Sequence, residues 1–204
     1  MKVALIDYGA GNLHSVENCL RALEVEPQLV SSPAQLEGCT HLILPGVGSF
    51  GDCMEQLGSR GLIGPIREWV AAGKPYFGIC LGYQILFDSS EESPGVDGLG
   101  LISGKVRRFA KQPGLKIPHM GWNAAKPTRP EEGLWRGLGE APYFYFVHSY
   151  FPQPTEESVV AAQTEYGADR FAAAVEQGPV VACQFHPEKS QAAGVRLISN
   201  FLGI

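Results

Sequence analysis

No apolar run in this 204-residue chain approaches the roughly 18 residues needed to span a bilayer. Basic residues are also scarce: 16 Lys and Arg face 21 Asp and Glu, for a formal net charge of −5. That balance argues against a surface for nucleic acid or anionic membrane, so neither partner is expected. The five cysteines (Cys19, Cys39, Cys53, Cys80 and Cys183) are odd in number, irregularly spaced and lack any C-x-x-C pair. This excludes a disulfide framework and points to a reducing compartment, here the cytoplasm. The five histidines show no metal-ligand spacing, so no metal is expected, and no cofactor. The N-terminal stretch is too short and too quickly acidic for a signal peptide and reads as a first strand. Repeats, low-complexity segments and linkers are absent as well.

What is present is an ordinary globular composition, 45% hydrophobic and 18% charged, long enough for one α/β domain over residues 1–204. The first half alternates strand and helix. Residues 2–7, 28–30, 41–44 and 75–79 read as strands, with helices between them, including one over 62–72 closed by Gly73. Leu13, Val16, Leu20 and Leu23 share one helix face, and Ser32-Pro33 is a helix-start signal. Such alternation predicts a mostly parallel sheet flanked by helices. The second half reads as strands at 105–109, 117–124, 143–150, 159–164, 171–176 and 180–185, an antiparallel extension. Ser190 is expected to cap a last helix, with Val195, Ile198 and Leu202 inward.

The most informative stretch is Gly78-Ile79-Cys80-Leu81-Gly82. An apolar strand precedes it and helix-like Tyr83–Phe87 follows, which is the pattern of a nucleophile elbow. The flanking glycines give a sharply turned nucleophile room, and a following helix would favour thiolate with its N-terminal dipole. Far downstream lies Gln184-Phe185-His186-Pro187-Glu188. In extended chain His186 and Glu188 would face one side. Cys80, His186 and Glu188 have the composition of a nucleophile, a base and an orienting carboxylate.

Ligands of open α/β sheets bind beyond the carboxyl ends of the strands. The turn at residues 8–12, the loop Pro45-Gly46-Val47-Gly48-Ser49 and Cys80 should therefore converge on one crevice. The Leu81 amide is one candidate oxyanion donor, and the loop around Val47 and Gly48 could supply another. Its peptides can rotate at low steric cost, so this half of the hole could switch. Gln84, one turn after Cys80, could bind a polar substrate, and His148, Ser149 and Tyr150 could offer backbone groups. Lys189 has the character of a surface or interface residue.

These two signatures, Gly78–Gln84 and Gln184–Glu188, resemble those of the class-I glutamine amidotransferases. Residues 7–13, 45–50, 118–123 and 148–150 extend the likeness over nearly the whole chain. They are similar to the branch of that family that works in histidine biosynthesis. The resemblance implies a flavodoxin-like glutaminase in which Cys80 attacks the side-chain amide of glutamine. His186, oriented by Glu188, would protonate the leaving ammonia. Leu81, Val47 and Gly48 would form the oxyanion hole, and Gln84, Gly48, His148, Ser149 and Tyr150 would hold the substrate. It also implies a heterodimer with a (β/α)8-barrel cyclase that consumes the ammonia, with Asn12, Trp122 and Lys189 at the interface. Activity is expected to be latent in the isolated chain, and Gly48→Pro to freeze the oxyanion loop. A glutaminase of another pathway, a cysteine peptidase and a non-catalytic scaffold are the competing readings. The segments at 45–50 and 118–123, polar Gln84 and the complete residue trio disfavour them in turn.

Overall fold

The structure, a computed structural model, describes residues 1–9 and 12–204. In chain order its strands are β1 (Val3–Ile6), β2 (Gln28–Val30), β3 (His41–Gly46), β4 (Tyr76–Cys80), β5 (Ser89–Ser90), β6 (Gly104–Arg108), β7 (His119–Ala124) and β8 (Lys126–Pro127). They continue with β9 (Tyr143–His148), β10 (Tyr150–Pro154), β11 (Val160–Tyr166), β12 (Asp169–Gln177) and β13 (Val180–Cys183). The α-helices are α1 (Leu13–Ala22), α2 (Phe50–Ser59), α3 (Ile63–Ala71), α4 (Leu81–Gln84) and α5 (Gln191–Leu202).

Eight strands form the main sheet in the order β2-β1-β3-β4-β13-β12-β11-β8. The first five run parallel, and β12, β11 and β8 extend the sheet antiparallel. β1, β3 and β4 are buried on both faces, which is why they read as continuous apolar runs, whereas edge strand β2 leaves Leu29 exposed. Alternate residues feed two cores. Ala4, Ile6, Leu42, Leu44 and Tyr76 pack with α2 and α3 on one side. Val3, Leu5, Ile43 and Phe77 pack with α1 and α5 on the other. Helix α1 buries Val16, Cys19 and Leu20, and α5 buries Leu197, Ile198 and Leu202, while Val195 is only half-buried.

Several expectations are corrected. The proposed strand at 143–150 is two strands: β9 pairs with β7 and β10 pairs with β6, in separate small sheets. β13 is parallel to β4, so the antiparallel extension begins only at β12. Helix α2 was not foreseen. The helix-start signal at Ser32 opens a short 3-10 turn, Pro33–Leu36, closed by a capping box with Gln35. Ser190 is the N-cap residue of α5, as expected, but its side chain makes no capping hydrogen bond. Its hydroxyl donates to the His186 carbonyl and accepts from the Tyr145 amide, tying the end of the main sheet to β9. Ala10 and Gly11, the middle of the turn at residues 8–12, lie outside the described residues. Among the described residues no helix is long and apolar enough to cross a membrane.

Candidate active site

β4 ends at Cys80, whose φ of 55° and ψ of −102° lie where L side chains rarely go. A sharp bend there lifts the sulfur off the strand. Gly78 and Gly82 are needed for a steric reason: a Cβ on Gly78 would clash with the Gly82 carbonyl, and one on Gly82 with the Leu44 carbonyl. The helix after the elbow is shorter than expected. α4 has four residues, after which Leu86 and Phe87 close tighter turns onto Tyr83 and Gln84. One turn sums few peptide dipoles, so the helix dipole expected at the elbow is weak.

His186 follows β13, the neighbour of β4, and its backbone amide is held by the Tyr145 carbonyl at 2.9 Å. Glu188 sits in the 3-10 turn Pro187–Lys189. That turn, not strand alternation, brings the carboxylate back to the ring: His186 Nδ1 to Glu188 Oε1 is 2.8 Å, with both side chains almost fully buried. Burial pulls His186 down, but the Cys80 sulfur beside it and the Glu188 carboxylate outweigh that and push it up to about 10. Its Nε2 is buried with no hydrogen-bond partner of its own apart from the facing sulfur. The geometry therefore presents a thiol sulfur, an imidazole and a carboxylate in line. The other four cysteines are buried free thiols, each driven up by burial.

A cavity of about 310 Å³ opens over the sulfur. Val47, Gly48, Cys80, Leu81, Gln84, His148, Ser149 and Tyr150 all line it. Leu81 is the first helical residue, where an amide has no intrahelical acceptor. Gly48 has a φ of +109°, and a Cβ there would meet open space. Proline requires φ near −65°, so Gly48→Pro would break this loop conformation instead of freezing it. Gln84 is buried, and its Nε2 donates to the Tyr150 carbonyl and to Gln184 Oε1. That leaves its carbonyl oxygen as the group it can offer a substrate. The His148 side chain is turned away into an aromatic core, so only its backbone can serve the cavity.

Of the three expected interface residues, Trp122 is 47% exposed on β7 and Lys189 is exposed. Asn12 behaves differently. Its amide donates to Glu188 Oε1 and lies 3.4 Å from His186 Nδ1, so its side chain is turned inward onto the charged pair. Glu92 also lines the cavity and was not foreseen. One of its oxygens accepts from the Phe50 amide at the start of α2. Nothing in its local sequence marks it, because the contact joins segments 42 residues apart. Among the described residues no group of three His, Cys, Asp or Glu is arranged to hold a metal.

This fold and site match known proteins. The family described as "Glutamine amidotransferase class-I" matches residues 4–203, and the chain belongs to it. The crystal structure of a glutamine amidotransferase superposes with a TM-score of 0.77 at 25% identity, covering 98% of this chain and 97% of that one. PurLQS from Thermotoga maritima shares the fold, with a TM-score of 0.78 at 20% identity over 99% and 97% of the two chains. "Imidazole glycerol phosphate synthase subunit HisH" of Microcystis aeruginosa is 46% identical over 98% of this chain and 94% of its own length. The protein of that name in Trichodesmium erythraeum is 48% identical over 98% and 93%. Within the class-I amidotransferases, this chain is a member of the HisH branch.

Proposed function

We propose that the chain is the glutaminase subunit of an imidazole glycerol phosphate synthase, acting in histidine biosynthesis. The observation that carries this is the buried arrangement of Cys80, His186 and Glu188, with Cys80 facing a cavity of about 310 Å³, sized for one amino acid. The HisH likeness supplies the pathway.

Cys80 attacks the side-chain carbonyl carbon of glutamine as thiolate, forming a carbon–sulfur bond and an oxyanion. The Leu81 amide and the loop at Val47 and Gly48 stabilise that oxyanion. His186, held protonated by its two anionic neighbours, gives its proton to the departing nitrogen, and ammonia leaves. His186 then takes a proton from water, which attacks the glutamyl thioester and frees glutamate and the Cys80 thiolate. Gln84 accepts a hydrogen bond from the substrate, backbone groups of Gly48, Ser149 and Tyr150 hold it, and the Glu92 carboxylate suits its α-ammonium.

The ammonia serves a cyclase subunit with a (β/α)8-barrel fold, docked over the cavity mouth in the cytoplasm. Trp122 and Lys189 are the surface residues proposed to meet it. Their exposure supports that role, whereas the inward Asn12 is better suited to holding Glu188. The test is glutamate release from glutamine by the purified chain, alone and with the cyclase subunit and its ribonucleotide ligand. A large rise in the complex supports the assignment. Equal, substantial release in both conditions keeps the chemistry and removes the partner. No release in either overturns the glutaminase reading.

A further inference from the structure

The chemistry above leaves two buried histidines without a role. His119 and His148 are 3% and 6% exposed. The His119 ring is stacked between Phe146 and Tyr166, at centroid distances of 4.8 and 4.0 Å, and Phe109 and Phe171 pack against both imidazoles. Such surroundings require a partner for every ring nitrogen, and each nitrogen has one. His148 Nδ1 lies 2.8 Å from the Tyr150 carbonyl oxygen. His148 Nε2 is 3.0 Å from His119 Nδ1, and His119 Nε2 is 3.3 Å from Asn123 Nδ2.

The direction of each bond follows from its ends. A carbonyl oxygen only accepts, so His148 carries its proton on Nδ1 and accepts at Nε2. His119 then donates from Nδ1 and accepts at Nε2 from Asn123. The Asn123 amide is fixed as that donor, because it also donates to the Glu165 carbonyl at 2.9 Å. Both rings must be neutral for this pattern. Burial lowers His119 to about 4, and burial with the adjacent His119 lowers His148 to about 3.

The line continues to the sulfur. The Tyr150 carbonyl also accepts from Gln84 Nε2 at 3.0 Å, Gln84 donates to Gln184 Oε1 at 3.1 Å, and Gln184 Nε2 donates to Cys80 Sγ at 3.7 Å. Gln184 is fully buried. A hydrogen-bonded path thus runs from Asn123, beside exposed Trp122, to Cys80. We propose that it positions the site: Gln184 orients the Cys80 sulfur, while His119 and His148 fix the Tyr150 carbonyl and with it the Gln84 wall of the cavity. No proton moves along it. The proposal rests on the glutaminase reading only for the identity of the substrate.

The test uses the full chain with its cyclase subunit, glutamine as substrate, and iodoacetamide as a probe of Cys80 that needs no substrate recognition. His119→Phe keeps the stacked ring and removes the donor to His148, whereas His119→Asn places an amide donor near the same position. KM for glutamine is expected to rise about tenfold in His119→Phe with kcat within about threefold, and to recover in His119→Asn. Gln184→Met should slow alkylation of Cys80 about tenfold. Should His119→Phe fail to fold, Asn123→Ala at the half-buried outer end carries the same test, with an expected KM rise of about threefold. Unchanged KM in the folded variants together with unchanged alkylation in Gln184→Met overturns the proposal while leaving the glutaminase intact. Equal loss in the Phe and Asn variants also overturns it, since that is what damaged packing alone would give. If the wild-type complex releases no glutamate yet Gln184→Met still slows alkylation, the glutaminase reading has failed and the positioning of Cys80 stands.

Discussion

Two histidine environments in this molecule are equally dry and carry opposite charge. His186 is fully buried between a sulfur and a carboxylate and is pushed up to about 10. His119 and His148 are as well buried, hydrogen-bond only to uncharged groups and pack on aromatic rings, and are pulled down to about 4 and about 3. Burial penalises the charged form in both places. The difference lies in the partners: Cys80 and Glu188 return more than burial removes, whereas the Tyr150 carbonyl favours a charged His148 by less than burial and the neighbouring His119 remove. One chain thus keeps a charged imidazole beside Cys80, where the proposed mechanism needs proton transfer, and a neutral pair for hydrogen bonding.

Removing the sulfur breaks the comparison most severely. Cys80→Ala is expected to lower glutamine hydrolysis by about 10⁴-fold or more, since it removes the proposed nucleophile. The same change should bring the titration of His186, followed by NMR, below its wild-type position, because burial then faces only Glu188. An unmoved titration would mean that the carboxylate alone sets the charge. Glu188→Gln is the next largest. It keeps a polar side chain of the same size beside Nδ1 and removes the charge, and kcat is expected to fall about 10²- to 10⁴-fold. Steady-state kinetics of the complex would check this, and a loss under tenfold would show that Asn12 and Cys80 suffice to orient the ring.

The two environments also predict opposite pH limbs of stability. His119 and His148 titrate below their unfolded value near 6.5. As pH falls through about 6.5 toward about 4 and about 3, the unfolded chain takes up their protons first and the folded state loses stability. Each proton contributes a slope of about 1.4 kcal/mol per pH unit in that window. His186 behaves in reverse. Its contribution is fully present below about 6.5 and is lost as pH rises through about 10. Denaturant unfolding across pH should therefore show an acid limb that flattens in a His119→Phe, His148→Leu double variant. An alkaline limb should flatten in Cys80→Ala. Limbs that ignore these substitutions would undo the assignment of charge.

How much of this was legible follows from how local each signal is. β1, β3 and β4 are continuous apolar runs because both faces are covered, and the elbow and the His186 segment each carry their own pattern. Their juxtaposition follows from β13 lying beside β4, which the sequence does not state. Helix α2 was obscured by Gly51 and Gly58, weak helix formers, and its first turn is held from a distance by Glu92 and Ser93. The break of residues 143–150 into β9 and β10 is set by pairing with β7 and β6, far away in the chain. Short α4 and the turn carrying Glu188 replaced two local arguments with tertiary ones. The path from Asn123 to Cys80 was invisible for the same reason: His119 and His148 are 29 residues apart, and Gln84 and Gln184 are 100 apart.

The smallest effect concerns the outer end of that path. Trp122 is 47% exposed and meets Tyr145 edge-on at 6.3 Å, so little of its apolar area is withdrawn from water in the free chain. Trp122→Ala should change the stability of the isolated chain by less than about 0.5 kcal/mol. Exposed Met120 and Tyr143 lie on the same two-stranded ribbon. An aromatic anchor on such a face contributes most of its energy only when a partner covers it, so the same substitution should weaken the complex with the cyclase at least about tenfold. KM for glutamine in the isolated chain is expected to stay unchanged, because the Asn123 amide remains fixed by Glu165 and His119 whether or not the indole is there. A shifted KM without the partner would mean that the exposed surface already sets the geometry of the cavity, and the division between a charged histidine beside Cys80 and a neutral pair proposed to position the site would have to include Trp122.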